Sequence, residues 1–162
     1  MIIHIIGDDH GVDCLSTYIN EHAASFKALL IEYMPKYSHT TPLPDADIDV
    51  ELEFMFDSRV KSQDLVAVKA VAHKVPTYEF DDPDDINAKS LARHETQLSN
   101  IVEILNGIDK EIDNICIIVG AAHLNDGEGG KNAKEKEKWK SHVTRLREGF
   151  PAAEIKFYDA TV

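Results

Sequence analysis

Five short apolar runs along the chain are typical of β-strands. Residues 2–6 and 115–119 are dominated by β-branched side chains, and each run is followed by a glycine. This pattern indicates a buried parallel strand that leaves its sheet through a tight turn. Three weaker runs cover residues 28–34, 75–80 and 155–158. The hydrophobic pattern therefore predicts five strands spread over the whole chain.

Helical periodicity separates these runs, because apolar residues recur every three or four positions in four segments. These segments are residues 12–22 and 57–74, a long helix after the acidic turn at 81–85 that runs to about Leu105, and a charged helix through Trp139, Val143 and Leu146. Residues 37–49 contain two prolines and three aspartates, which favours a loop or a crossing segment.

Strands and helices alternate from the first predicted strand to the fifth. Alternation of this kind predicts an α/β fold, with a mainly parallel sheet of about five strands and helices on both faces. The chain has 162 residues, of which 43% are hydrophobic, and this is enough for one core. We therefore expect a single α/β domain, residues 1–162.

Charge and cysteine content argue against several classes of function. The net charge of −12 and the pI near 5.0 oppose binding to a phosphate backbone or an anionic membrane surface. Cys14 and Cys116 lie far apart and outside any Cys-x-x-Cys pair, which argues against a disulfide framework or a thiolate zinc site. The sequence opens on its first strand and has no apolar run of membrane-spanning length. We expect a cytoplasmic protein that binds neither nucleic acid nor membranes.

Candidate chemistry gathers where three of the predicted strands end. The frame Gly-x-x-His occurs after the first strand, ending at His10, and again after the fourth strand, ending at His123. Glu32 lies near the carboxyl end of the second strand. Because α/β folds place ligands at this edge of a parallel sheet, His10, Glu32 and His123 are predicted to share one pocket.

These three side chains and one arginine have the properties of a reaction centre. Histidine supplies a base near pH 7, glutamate orients or charges it, and arginine stabilises developing negative charge. Helical spacing directs Arg93 toward the same edge. Each residue also has a structural alternative, with His10 as a helix cap, Glu32 in a buried pair and Arg93 as a surface partner of the acidic turn.

A divalent metal is the one cofactor that this constellation suggests. His10, Glu32 and His123 are candidate ligands, and Asp8 and Asp9 add carboxylate oxygens beside His10. Solvated carboxylates at the start of a helix explain the two aspartates equally well. No residue is predicted to bind an organic cofactor.

The chain resembles the TraB/Tiki-like group, within the superfamily of erythromycin esterase and ChaN-like proteins. The resemblance spans about residues 1–124, and its motifs occur in the correct order. They are Gly7-x-x-His10, Leu30-Ile31-Glu32-Tyr33, Phe80-Asp81, Arg93-His94-Glu95 and Val119-Gly120-Ala121-Ala122-His123-Leu124, of which the last is the most specific.

This resemblance implies a hydrolase-like α/β protein with a His/Glu/Arg pocket. The implied catalytic residues are His10, Glu32, Arg93 and His123, and Asp81 is a lesser candidate. Related proteins include metal-dependent peptidases, metal-free esterases with a histidine base and haem-binding proteins, so the fold does not name a substrate. We expect cleavage of an ester or amide bond in a small-molecule or peptide substrate, with or without a divalent metal.

Two other functions remain open from the sequence. Asp8 and Asp9 end the first strand as the acidic pair does in a phosphoacceptor receiver domain, a magnesium-binding signalling module. In that layout, residues 54–56 form the strand before the acceptor Asp57. The long interval from Asp57 to the next confident strand end at Gly120 argues against it. The other alternative is a non-catalytic ligand-binding member of the TraB-like fold.

Overall fold

A computed structural model describes residues 1–9, 12–56 and 62–160. Within these residues, five strands form one sheet in the order β3-β2-β4-β1-β5, and every pairing is parallel. The strands are β1 Ile2–Asp8, β2 Ala28–Ile31, β3 Thr77–Glu79, β4 Asn114–Gly120 and β5 Glu154–Asp159. The predicted α/β fold with a mainly parallel sheet is confirmed.

Helices cover both faces of this sheet. The α-helices of the described ranges are α1 Ser16–His22, α2 Asp45–Phe56, α3 Gln63–Ala72, α4 Leu91–Gly107, α5 Ala133–Lys138 and α6 His142–Gly149. Helices α1 to α3 pack on one face, and α4 and α6 pack on the other. In residues 1–9, 12–56 and 62–160, no helix combines the length and the apolarity needed to cross a bilayer.

The central strands are apolar on both faces, which explains their uninterrupted hydrophobic runs. Successive residues of a strand point to opposite sides of the sheet. The side chains buried against α1 to α3 include Ile6, Leu29, Ile31, Cys116 and Ile118. Those buried against α4 and α6 include Ile3, Ile5, Leu30, Ile117 and Val119.

Helix α2 corrects two interpretations of the sequence. It starts at Asp45, inside the segment 37–49 that was expected to be a loop or crossing segment. It ends at Phe56, so the strand over residues 54–56 that the receiver-like layout requires is wrong. The proposed acceptor Asp57 lies outside the described residues. The receiver alternative therefore loses the element that would present its acceptor.

The predicted charged helix is two helices separated by a short break. Helix α5 ends at Lys138, and α6 begins after Ser141, whose hydroxyl accepts a hydrogen bond from the Thr144 backbone N–H at 3.0 Å. Trp139 lies in the break and is 1% exposed. This break between the two helices places the Trp139 indole at the carboxyl edge of the sheet.

Two aspartates hold the start of α1 against the start of α3. Asp64 is fully buried, and its carboxylate accepts hydrogen bonds from the backbone N–H groups of Cys14, Leu15 and Ser16, all at 2.9 Å. Asp13 accepts longer bonds from the backbone N–H groups of Gln63 and Asp64. These caps anchor the chain directly after the loop that follows β1.

Replacing Asp64 by alanine is expected to lower the free energy of unfolding by about 3 kcal/mol or more, because three N–H groups lose a charged acceptor in a buried place. Urea denaturation measures the change. Asp13→Ala is the matched control, because Asp13 is exposed and makes longer bonds, and it should cost about 1 kcal/mol. Equal losses in the two variants would contradict the role of Asp64.

Candidate functional site

The carboxyl edge of the sheet brings together most of the residues singled out in the sequence. Glu32 follows β2 directly, and His123 lies in the 3-10 turn Ala121–Leu124 after β4. Because β2 and β4 are neighbours, these two side chains meet. Arg93 approaches from the first turn of α4. The fourth predicted residue, His10, lies outside the described residues.

Glu32 is the centre of a dense hydrogen-bond network. Its Oε1 accepts a bond from the backbone N–H of Gly120 at 3.0 Å, and its Oε2 accepts one from Gln97 Nε2 at 2.6 Å. The same Oε2 lies 3.0 Å from His123 Nε2. The Glu32 and His123 side chains are each 5% exposed, so the pair is almost fully shielded from water.

Arg93 forms a two-pronged ion pair with Asp81. Its Nε and Nη2 donate to the two Asp81 oxygens at 2.9 and 2.6 Å, and Nη2 lies 3.9 Å from Glu32 Oε2. The bond to Asp81 raises the pKa of Arg93 further, although burial opposes this. Arg93 does pair with the acidic turn, as the structural alternative predicts. The ion pair is largely buried, however, so it is not a surface contact. Gln97 also donates to Asp81, at 2.9 Å.

His94 extends the network behind His123. The Nδ1 atoms of the two rings are 2.8 Å apart. The ring planes are within 9° of each other and the centroids are 5.1 Å apart, so the rings meet edge to edge within one plane. His94 Nε2 donates to the backbone carbonyl of Lys140 at 2.6 Å. In the sequence, His94 stands out only as part of the motif Arg93-His94-Glu95.

Two further rings clamp His94. The Trp139 indole lies 3.9 Å from it at an interplanar angle of 18°, and the His142 imidazole lies 4.2 Å from it at 8°. Two rings can approach so closely in parallel planes only from opposite faces. The Trp139 Nε1 donates to the Ala122 carbonyl at 3.2 Å, which ties the clamp to the turn that carries His123. His142 is not among the candidate residues predicted from the sequence.

Burial keeps two of these imidazoles neutral at pH 7. Burial, with a smaller contribution from the nearby His123, lowers the pKa of His94 to about 4. Burial also lowers the pKa of His142 well below its usual value. His142 Nε2 donates to Gln97 Oε1 at 3.0 Å, while its Nδ1 has no hydrogen-bond partner among residues 1–9, 12–56 and 62–160. Gln97 is thereby oriented with its amide N–H groups toward Glu32 and Asp81.

Gly129 lies against a face of the Trp139 ring, where a Cβ atom would come within 2.3 to 2.5 Å of three indole carbons. Gly129→Ala is expected to destabilise the protein by about 1 to 3 kcal/mol, because the buried, stacked indole has no space to move into. The fluorescence of Trp139, the one tryptophan of the chain, reports the displacement.

Gly107→Ala serves as the control for this prediction. A Cβ atom at Gly107 would meet nothing within 4 Å, so this variant should leave the fluorescence unchanged and should not lower stability, which Gly→Ala changes at compatible positions raise by about 0.4 to 1 kcal/mol. An unshifted fluorescence spectrum in Gly129→Ala would contradict the close packing of Gly129 on the indole.

The network borders a pocket of about 470 Å³ at the sheet edge. Its lining residues are Asp8, Asp9, Glu32, Ala88, Arg93, Gly120, Ala121, Ala122 and His123. The small side chains after β4 leave room for a ligand beside Glu32, and the charged side chains of both signs converge on this space. A concave site with a few convergent polar groups is where a small substrate binds.

Of the predicted metal ligands, Glu32 and His123 do not fit a resident metal ion as they stand, and His10 lies outside the described residues. Glu32 and His123 contact each other directly, and their polar atoms are engaged by protein groups. Nitrogens of His94, His123 and His142 lie within 4.8 Å of one another, but the three rings are within 9° of parallel. His94 and His123 lie in one plane with their Nδ1 atoms 2.8 Å apart, and the His142 ring is stacked on His94 in a parallel plane, so the His142 lone pairs cannot point at an ion between the other two rings.

A second cluster, Asp8, Cys14 and Asp64, is equally unsuited to a metal. Both Asp64 oxygens accept backbone hydrogen bonds, and burial raises the pKa of the Cys14 thiol to about 11. Because a thiolate is the form that binds metals, Cys14 is a poor ligand at neutral pH.

Comparison with known proteins returned no matching family model, no matching curated protein and no matching solved structure. The resemblance to TraB/Tiki-like proteins therefore stays a prediction from the motifs. The function is argued below from the geometry of the site.

Proposed function

We propose that the protein is a hydrolase that cleaves an ester or amide bond of a small-molecule or peptide substrate, with the Glu32 carboxyl group as the acid and base. The observation that carries this proposal is a buried glutamate, 3.0 Å from an imidazole, in the wall of a pocket that Arg93 also lines. A shielded carboxyl group paired with imidazole is suited to proton transfer near neutral pH.

In this proposal, His123 supports Glu32 and does not act on the substrate directly. From the sequence, His123 is a candidate general base or metal ligand, but its Nε2 faces Glu32 and its Nδ1 faces His94. Accepting a proton from a substrate would break one of these two contacts. Each imidazole nitrogen takes only one hydrogen-bond partner, whereas each carboxylate oxygen accepts two, so Glu32 can exchange a proton with the pocket and with His123 while it keeps the contacts described above.

Arg93 is the proposed stabiliser of negative charge. Asp81 holds its guanidinium in one orientation through two hydrogen bonds, and the same side chain lines the pocket beside Glu32. A fixed guanidinium binds an oxyanion or a substrate carboxylate without having to reorganise during the reaction. Asp81, a lesser candidate in the sequence, is then a positioning residue.

The proposed chemistry requires one proton donation and one proton return. Water attacks the acyl carbon and forms a tetrahedral intermediate. Glu32 donates a proton to the leaving oxygen or nitrogen as the bond from that atom to the acyl carbon breaks and its electron pair passes to the leaving atom, and the proton that the water loses returns to Glu32. One water is consumed for each bond cleaved. No step is assigned to a metal, because the described donors do not fit one.

A hydrolysis screen tests this proposal. Untagged protein is assayed on chromogenic esters and fluorogenic peptides, with and without EDTA, and its metal content is measured. We expect turnover of at least one class, unchanged by EDTA. Absence of turnover by compounds that do bind would contradict the hydrolase and favour the non-catalytic ligand-binding alternative. Loss of turnover with EDTA would contradict the metal-free assignment.

A further inference from the structure

We infer that the chain of hydrogen bonds from Glu32 through His123 to His94 holds one extra proton. The count is relative to an ionised carboxylate and two neutral histidines. His94 is the positioning residue that keeps this proton beside the pocket. We call these three residues the histidine–carboxylate chain. The catalytic meaning of this proton rests on the proposed function, but the proton count does not.

The first link fixes one proton. His94 Nε2 lies 2.6 Å from the Lys140 carbonyl oxygen, and a carbonyl oxygen only accepts hydrogen bonds. His94 Nε2 must therefore carry a hydrogen. In a neutral imidazole the other nitrogen is bare, so a neutral His94 presents Nδ1 as an acceptor to His123.

The second and third links need one proton each. The two Nδ1 atoms of His94 and His123 lie 2.8 Å apart, and two bare nitrogens at this distance would repel each other. His123 Nε2 and Glu32 Oε2 lie 3.0 Å apart, and a bare nitrogen facing a carboxylate oxygen would repel in the same way. Three links therefore hold three protons, whereas two neutral histidines and a carboxylate supply only two.

The additional proton lies at the link between His123 and Glu32. His94 does not carry it, because its burial disfavours the charged ring and lowers its pKa to about 4. The proton forms either an imidazolium paired with carboxylate or a neutral imidazole paired with a carboxylic acid. Both forms leave the chain without net charge, which suits a site where both side chains are 5% exposed.

Within the described part of the protein, the neighbouring arginines, His142 and the N–H donors to Glu32 do not supply this proton. Arg93 lies 3.9 Å from Glu32 but is paired with Asp81. His142 donates to Gln97 from its Nε2, and burial keeps it neutral. Arg145, on the outer side of α6, is paired with Glu95 at 3.5 Å. The Gln97 amide and the Gly120 N–H both donate to Glu32, and neither can release a proton near pH 7.

The aromatic clamp explains why His94 can set the proton pattern. Trp139 and His142 lie on the two faces of its ring, and the Lys140 carbonyl binds its far nitrogen. The ring therefore cannot turn to offer a different atom to His123. Under the proposed function, the stored proton is the one that Glu32 gives to the leaving group.

Nitrogen-15 NMR of the imidazole rings at pH 7 tests the proton count in the wild-type protein. We expect His123 to show N–H at both nitrogens, or N–H at Nδ1 alone together with a protonated Glu32 in carboxyl carbon-13 spectra. His4 is an internal reference, since burial on the opposite face of the sheet lowers its pKa to about 4. A singly protonated His123 beside an ionised Glu32 would overturn the inference.

A matched pair of variants tests the role of His94. His94→Asn keeps an acceptor near the Nδ1 position, so His123 should retain its wild-type protonation. His94→Gln places its amide near the Nε2 position and loses the contact with His123 Nδ1, so the wild-type pattern should be lost. The spectra are compared for variants whose Trp139 fluorescence remains native. Identical His123 spectra in both variants would overturn the positioning role.

The two proposals fail in distinguishable ways. Three protons in the chain without hydrolysis by the wild-type protein would contradict the proposed function and leave the proton inference standing. Two protons in the chain would contradict the inference, whatever the activity.

Discussion

Glu32→Gln is expected to lower turnover by about 100- to 10,000-fold, the usual cost of losing a general acid or base. The amide has nearly the shape of the carboxyl group, but it cannot release or accept a proton in the pocket. It also faces His123 and the donors Gln97 and Gly120 with one oxygen instead of two. The measurement is turnover of the best ester or peptide substrate, beside thermal unfolding.

Glu95→Gln is the control for this prediction. It makes the same chemical change on α4, two residues after Arg93, but Glu95 is half-exposed and pairs only weakly with Arg145 at 3.5 Å. Turnover should remain at the wild-type level. A folded Glu32→Gln protein with wild-type turnover would contradict the catalytic role of the carboxyl group.

The second large effect is a loss of stability in mild acid. Burial lowers the pKa of His4 and His94 to about 4, and that of His142 well below its usual value. Below pH 6.5 the unfolded chain binds three protons at these residues that the folded protein does not. Because stability rises with pH where the unfolded state binds more protons, the free energy of unfolding falls as the pH falls from about 6.5 toward 4.

Glu79 acts in the opposite sense. Burial, and then the neighbouring Glu51 carboxyl group, raise its pKa to about 8. The folded protein therefore holds a proton there that the unfolded chain loses above its usual pKa, and stability falls as the pH rises toward 8. Below pH 6.5 the net difference is about two protons, so we expect a loss of about 2 to 3 kcal/mol for each pH unit of acidification.

Urea denaturation at intervals between pH 5 and pH 8 measures both effects. Stability should be greatest near pH 6.5. His4→Asn keeps a polar group near the position of Nδ1, which contacts the Tyr18 hydroxyl, and should reduce the acid slope by about one proton. Glu79→Gln should weaken the decline toward pH 8 but not abolish it, because Asp45 and Asp49 raise the pKa of His73 in the folded protein and the proton inferred between His123 and Glu32 acts in the same direction. A free energy of unfolding that does not change between pH 6.5 and 5 would contradict the buried neutral histidines.

Helix α2 shows where local periodicity misleads. Its apolar residues Ile48, Val50, Leu52 and Phe54 alternate with acidic ones, which is the period of a strand. In the structure, Ile48 and Leu52 are buried and lie four residues apart, while Val50 and Phe54 are exposed. Packing against α3 stabilises the helix over a strand. The alternation of apolar and acidic residues does not reveal this contact between two elements.

The residues of the candidate site also differ in how well the sequence predicts them. Glu32 and His123 stand out in the sequence because each follows a strong apolar run, and parallel strands end at one edge. His94, Gln97, Trp139 and His142 carry no such local sign. Their contacts join α4 to the turn after β4 and to α6 across 29 and 45 residues, so they exist only in the folded protein. A single tryptophan in a charged segment, three residues before a histidine, is the one hint that the sequence offered.

The sequence by itself determined the parallel α/β sheet and the side chains at its carboxyl edge, since strand periodicity and the glycine turns that end strands are local properties of the chain. Only the tertiary structure decided which atoms of these side chains already have hydrogen-bond partners in the protein. The break between α5 and α6 brings Trp139 and the Lys140 carbonyl onto His94, and His94 in turn occupies the nitrogen that His123 would need as a free base. In the proposed function the acid and base role therefore falls to Glu32, because the packing of distant elements determines which hydrogen-bond partners His123 has.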